Sequence, residues 1–121
     1  MHIADVQKTY AIVIGAVLVL VGIIGFFNAP IFGLFGVNAA QDLLHLIGGA
    51  AIIWFGYSGS GKPTNMWLGI ISLVVGVLGF VPITADLLTT ILNINTAISI
   101  LHVAIGIVSL GVAYGVKEGA A

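Results

Sequence analysis

At 121 residues the chain has the length of one domain, with 60% hydrophobic and 6% charged residues, a mean hydropathy of +1.27 and a net charge of −1. So little charge does not cover the surface of a water-soluble domain, and lipid is the expected solvent. The only cations are three lysines, too few for a nucleic-acid footprint, and the lack of cysteine excludes disulfides, thiolate chemistry and Cys-type metal sites.

Met1 to Thr9 reads as a short polar lead. Tyr10 to Phe27 is uncharged, and as a helix it spans about 27 Å, close to the roughly 30 Å hydrocarbon core of a bilayer. It is longer than the apolar part of a signal peptide and is repeated later in the chain, so residues 10–27 are expected to form the first span. Asn28 to Val37, broken by Pro30, Gly33 and Gly36, reads as a connection in the interface. The second span is expected over 39–57, with Asn38 as its N-cap. Gly56 to Asn65 reads as a flexible polar turn, and the third span over 66–81 stops at Pro82. From Ile83 to Asn93, apolar Leu87, Leu88, Ile91 and Leu92 alternate with Asp86, Thr89, Thr90 and Asn93, the spacing of a short amphipathic helix on the membrane surface. The fourth span is expected over 96–116, again behind an Asn, and Lys117 to Ala121 forms a tail.

The strongest organisational signal is an internal repeat. Val21-Gly-Ile-Ile-Gly-Phe26 matches Val75-Gly-Val-Leu-Gly-Phe80 at an offset of 54 residues, and Gly15, Gly22 and Gly25 pair with Gly69, Gly76 and Gly79. The second and fourth spans match at an offset of 57, which pairs Asn38 with Asn95, His45 with His102, Gly49 with Gly106 and Tyr57 with Tyr114. The expected fold is therefore an all-α integral membrane four-helix bundle. Its two tandem hairpins occupy 10–59 and 66–115, related by a pseudo-twofold along the membrane normal. Four spans place both termini and the middle turn on one side. Lys8, Lys62 and Lys117 fall there together with the Trp and Tyr residues, so that side is expected to be cytoplasmic.

The polar residues inside the spans are the candidate site. Asn38 and Asn95 suit N-caps, each satisfying a free amide for about 1 kcal/mol. His45 and His102 lie seven residues further on, nearly on the same helix face and roughly 10 Å below the outer ends. One turn before them stand Asp42 and Ser99, placed to fix the imidazole tautomers. Three readings compete for the histidines. The first is interhelical hydrogen bonding that sets helix register. The second is axial ligation of a haem or another tetrapyrrole by a symmetric pair. The third is a proton or cation path through Asp42 and His45, which the lower halves of the spans continue only with Ser72, Ser109 and glycines. The stripes Gly15, Gly22, Gly25 and Gly69, Gly76, Gly79 suit close internal packing, and Gly111 with Gly115 forms a Gly-x-x-x-Gly pair that fits either internal packing or a dimer face. Gly56-x-x-x-x-Gly61-Lys62 imitates a phosphate-binding loop, but Pro63 replaces the magnesium-binding hydroxyl and no strand precedes it. No nucleophilic triad or carboxylate pair is present, so no catalytic residue is assigned.

Leu34-Phe-Gly-Val-Asn38 and Leu92-Asn-Ile-Asn95-Thr-Ala, each followed by Leu-His and then Gly, together with the Val-Gly-x-x-Gly-Phe segments, resemble the small four-helix membrane proteins grouped as domain of unknown function 4383. The likeness covers nearly the whole chain. In that family the first copy often reads Asn-x-x-His-Asn-x-x-His; Gln41 and Asp42 stand at the first His and the second Asn, which weakens any site needing three histidines. The resemblance implies a bacterial or archaeal four-span protein and no known reaction. The expectation is a non-enzymatic protein of the plasma membrane, a structural or accessory subunit whose partners are lipids and either further copies or other membrane subunits, with no nucleic acid and no assigned cofactor. The alternatives are a haem- or pigment-binding electron-transfer protein using His45 and His102, or the ion path through Asp42 and His45.

Overall fold

The computed structural model describes residues 5–117. Residues 1–4 and 118–121 lie outside the described residues, so the polar lead is seen only from Asp5 and the tail only at Lys117. The described residues form five helices, α1 (Val6–Phe27), α2 (Ala39–Ser58), α3 (Gly61–Leu78), α4 (Pro82–Leu92) and α5 (Thr96–Gly115). Among the described residues the only β pairing is an isolated bridge between Ile31 and Phe35. The fold is all-α, and α1, α2, α3 and α5 are each long and apolar enough to cross a membrane.

Helix starts depart from the limits of the uncharged runs, because such a run marks what lipid covers and a helix can begin in the polar interface. α1 starts four residues before Tyr10, where the Asp5 side chain accepts a hydrogen bond from the Lys8 amide at 3.2 Å. α3 starts at Gly61, not near 66, and most of the stretch expected to be a flexible turn is helical. Pro63 is tolerated because it falls in the first turn, where its missing N–H has no helical partner to lose. Gly61 is needed for a close approach: a Cβ there would come within 2.5 Å of the Gln7 carbonyl carbon and the Lys8 nitrogen. α3 ends at Leu78, and Pro82 opens α4 in the place expected for the short amphipathic helix. Ile83, Leu87 and Ile91 of α4 are exposed, and Asn93 closes it in the left-handed conformation at φ 54°.

α1 packs along α2, α3 packs along α5, and α1 also touches α3. Glycine lets the first two backbones meet: a Cβ at Gly49 would lie 2.6 Å from the Gly15 carbonyl oxygen, and one at Gly22 would lie 2.8 Å from that of Asp42. Along the second pair, Gly69 lies against Leu110, Gly76 against Val103, and Gly106 against Leu73. Gly111 and Gly115 are different, since a Cβ at either would meet nothing within 4 Å. Contacts of Lys8 with Tyr57 and of Gln7 with both Asn65 and Val116 gather the start of α1, the α2–α3 turn and the end of α5 at one end of the bundle.

Burial is inverted relative to a soluble domain. Gln7, Asn65, Asp42, Ser99 and Ser109 are the largest fully buried side chains, while Val17, Ile71 and Val108 are exposed. Lipid gives apolar side chains no reason to turn inward, whereas a polar group needs a partner that hydrocarbon cannot provide.

Candidate functional site

At the α4 end of the bundle two loops and three helix ends are bound by amides. Asn38 Oδ1 accepts from the Gln41 amide at 2.9 Å, and Asn95 Oδ1 accepts from the Ile98 amide at 3.0 Å, so both asparagines are N-caps. Their Nδ2 groups then cross between the halves of the chain: Asn38 donates to the Ile91 carbonyl and Asn95 to the Leu34 carbonyl, both at 2.9 Å. Asn93 Nδ2 donates to Val37 O at 3.0 Å, and Gln41 Nε2 donates to Gly36 O at 3.0 Å and to Leu92 O at 2.9 Å. Gly36 permits this seam, since a Cβ there would sit 2.5 Å from the Asn93 carbonyl oxygen.

A second seam closes the other end. Gln7 is fully buried and donates through Nε2 to the carbonyls of Val112 and Val116, each at 2.7 Å, which ties α1 to the end of α5. Asn65 Nδ2 donates to Gln7 O at 2.8 Å and to Gln7 Oε1 at 2.9 Å, which adds the start of α3. One turn along, the Tyr10 and Ser109 hydroxyls bond at 2.7 Å. Neither Gln7 nor Asn65 stands out in the sequence, because each lies among polar residues at a helix start and reads as interfacial.

Between the seams lies a cleft of about 930 Å³ lined by residues of α1, α2, α3 and α5. Leu44, Phe55, Trp67, Ile71 and Leu101 line it and are exposed, so the cleft opens towards lipid. His45 and His102 meet here, with ring centroids 6.3 Å apart and planes inclined by 27°. His102 Nδ1 bonds to the Ile98 carbonyl at 2.8 Å, within its own helix, and His45 Nδ1 is buried without a partner. The cross-bonding expected of the imidazoles is made instead by Asn38, Asn93, Asn95 and Gln41 above them. The expected tautomer-fixing partners are also turned elsewhere: Asp42, 1% exposed, lies with its carboxylate against Gly25, and Ser99, equally buried, with its hydroxyl against Gly79. Asp42 Oδ1 and Ser99 Oγ have no hydrogen-bond partner. The arrangement stacks two imidazoles within an apolar cleft, and among the described residues no three His, Asp or Glu side chains gather to hold a bare metal ion.

The family model described as Domain of unknown function (DUF4383) matches residues 8–115. The chain belongs to this family. The DUF4383 match runs from the first turn of α1 to the last residue of α5, so the family unit includes the amide seam at the α4 end, α4 and the cleft, while Gln7 and Val116 of the other seam lie just outside it. Among curated proteins and solved structures, none matches the chain.

Proposed function

We propose that this DUF4383 protein is a non-enzymatic, multi-pass protein of a bacterial or archaeal plasma membrane that serves as an accessory subunit of a membrane assembly. The observation that carries this reading is the inversion of burial: the polar side chains are largely consumed in joining the chain's own elements, and what faces outward is apolar. A surface of that kind meets its partners within the lipid. The bare strip at Gly111 and Gly115 suits close approach by another apolar helix, in a second copy or a different subunit.

The architecture in this reading is two tandem hairpins related by a pseudo-twofold along the membrane normal. It is supported by contacts that recur at the offsets of the sequence repeat: Gly15 with Ile53 and Gly69 with Leu110, Gly22 with Leu46 and Gly76 with Val103, Gly25 with Asp42 and Gly79 with Ser99. The end that gathers the start of α1 and the end of α5 is cytoplasmic, because Lys8, Lys62 and Lys117 belong to it. Impermeant thiol labelling checks the orientation: Asp86→Cys reacts from outside and Lys62→Cys does not, and equal outside labelling of both refutes it. For the subunit role, crosslinking in native membranes followed by mass measurement is expected to give one defined assembly. A chain that is monomeric throughout, with no crosslinked neighbour, overturns it.

A further inference from the structure

We propose that the apolar cleft binds an isoprenoid quinol, with its phenolic head against the edges of His45 and His102 and its tail along the cleft below them. The inference goes beyond the subunit role and rests on the cleft alone.

The repeat places a histidine at the same point in each half, but the two rings are held differently. His102 Nδ1 bonds to the Ile98 carbonyl at 2.8 Å. A carbonyl only accepts, so this nitrogen carries the proton of the neutral ring, and Nε2 is left as a lone pair. His45 makes no matching bond to the carbonyl one turn before it, and its Nδ1 is buried without a partner. A proton on that nitrogen would be a stranded donor, the rarer and costlier kind of orphan. On Nε2 the same proton can meet an acceptor in the cleft, which makes that the favoured tautomer of His45.

Both rings line the cleft, and the Nε2 atoms are neither hydrogen-bonded nor buried. The cleft therefore presents one donor, from His45, and one acceptor, from His102. The rings are stacked, with centroids 6.3 Å apart and planes inclined by 27°, so their edges run alongside one another. Hydrocarbon chains can satisfy neither nitrogen. A hydroxyl can serve both kinds, since its oxygen accepts and its proton is donated.

Depth narrows the source of that hydroxyl. Both histidines lie seven residues inside their Asn caps, roughly 10 Å below the outer helix ends. A phospholipid keeps its polar groups in the interface and brings only methylenes to this level. The ligand is therefore one whose polar head enters the hydrocarbon, as a phenol on an apolar tail does. Gly48, one turn beyond His45, lines the cleft, and a Cβ there would meet nothing within 4 Å, which leaves room for a flat ring beside the imidazoles.

The rest of the cleft suits the tail. From His45 it continues past Ala51 and Ile52 to Phe55, about 15 Å of helix, with Trp67 and Pro63 of α3 further along its lining. Its volume of about 930 Å³ lies within the roughly 300–1,000 Å³ typical of small-molecule sites. Leu44, Ile71 and Leu101 line the cleft and are exposed, so the ligand enters sideways from lipid without crossing the amide rim. The oxidised form has carbonyls in place of hydroxyls. It can accept from His45 but leaves the His102 lone pair unmet, so the site favours the quinol.

The test is native mass spectrometry of the purified full-length protein, released from detergent after anaerobic titration with a short-tailed ubiquinol or the matching ubiquinone. The expected result is saturation at one quinol per chain, with the quinol bound about fivefold or more tighter than the quinone, the worth of one hydrogen bond. His102→Ala is expected to erase that preference by weakening the quinol alone, and His45→Ala to weaken both forms. Gly48→Leu fills the space beside the rings and is expected to abolish binding while helical circular dichroism is unchanged. Adducts that accumulate without saturating, or a phospholipid that displaces the quinol at equal concentration, overturn the proposal. So does equal binding of quinol and quinone by the wild type, or undiminished binding in Gly48→Leu or in the His45→Ala/His102→Ala double variant.

Discussion

Asn38 and Asn95 stand two turns above His45 and His102 on the same two helices, and the two pairs are used differently. Each asparagine caps its own helix with the carbonyl end of its amide and bridges to the other half of the chain with the nitrogen end. Each histidine comes to the facing helix and bonds to nothing on it. An amide carries donor and acceptor on one short stem, so it can satisfy its own helix start and a neighbour's carbonyl together. A neutral imidazole has one of each at opposite edges of a ring; His102 turns one edge back to the Ile98 carbonyl of its own helix, and His45 Nδ1 is buried without a partner. The rim is therefore fastened by protein alone, and the cleft is the place where polar chemistry remains to be used.

That contrast can be broken at the seams. The largest loss is expected for Gln7→Ala, which removes the side-chain bonds from α1 to the end of α5 and one of the two bonds of the buried Asn65 amide, leaving that to the residue 7 carbonyl: about 3 kcal/mol, read as a lower midpoint in detergent-denaturant titration. A loss below about 0.5 kcal/mol would mean that water or lipid headgroups replace the junction. Asn38→Ala and Asn95→Ala come next, at about 1–2 kcal/mol each, since both a cap and a crossing bond disappear. Because both belong to one seam, the double variant is expected to depart from additivity by about 0.5 kcal/mol or more; strict additivity would show two independent caps. The smallest effect sharpens the comparison from the other side. His45→Ala and His102→Ala should each shift stability by no more than about 0.5 kcal/mol, because neither ring bonds across the bundle. A loss of about 2 kcal/mol in either would return the histidines to the register-setting role first expected of them.

Much of the architecture is legible in the sequence, for a definite reason. In lipid the composition of a segment decides its fate, so uncharged runs, Asn caps and Pro-Gly breaks mark directly the four helices long and apolar enough to cross a membrane and the short helix α4. The glycine stripes are equally readable, because only small residues let membrane helices approach closely. Helix starts are less so: α1 and α3 begin in polar sequence, where charge gives no warning against helix once a cap or an early proline is in place. Gln7 and Asn65 were hidden for the same reason.

For the candidate site, repetition at a fixed spacing singles out Asn38, Asn95, His45 and His102. It also suggests Asp42 and Ser99 as partners of the imidazoles, which lie instead in the glycine notches of the neighbouring helices. Spacing along one helix states which side chains share a face. It does not state which of them a neighbouring backbone will meet first. By itself the sequence determined the four apolar helices long enough to cross a membrane, the caps and the places where helices touch, since each follows from local composition and residue size. Only the tertiary structure decided that amides fasten both ends, that two imidazoles face each other 6.3 Å apart, and that a cleft remains between them. Those outcomes depend on how one helix pair is set against the other, a relation between residues 51 to 109 positions apart.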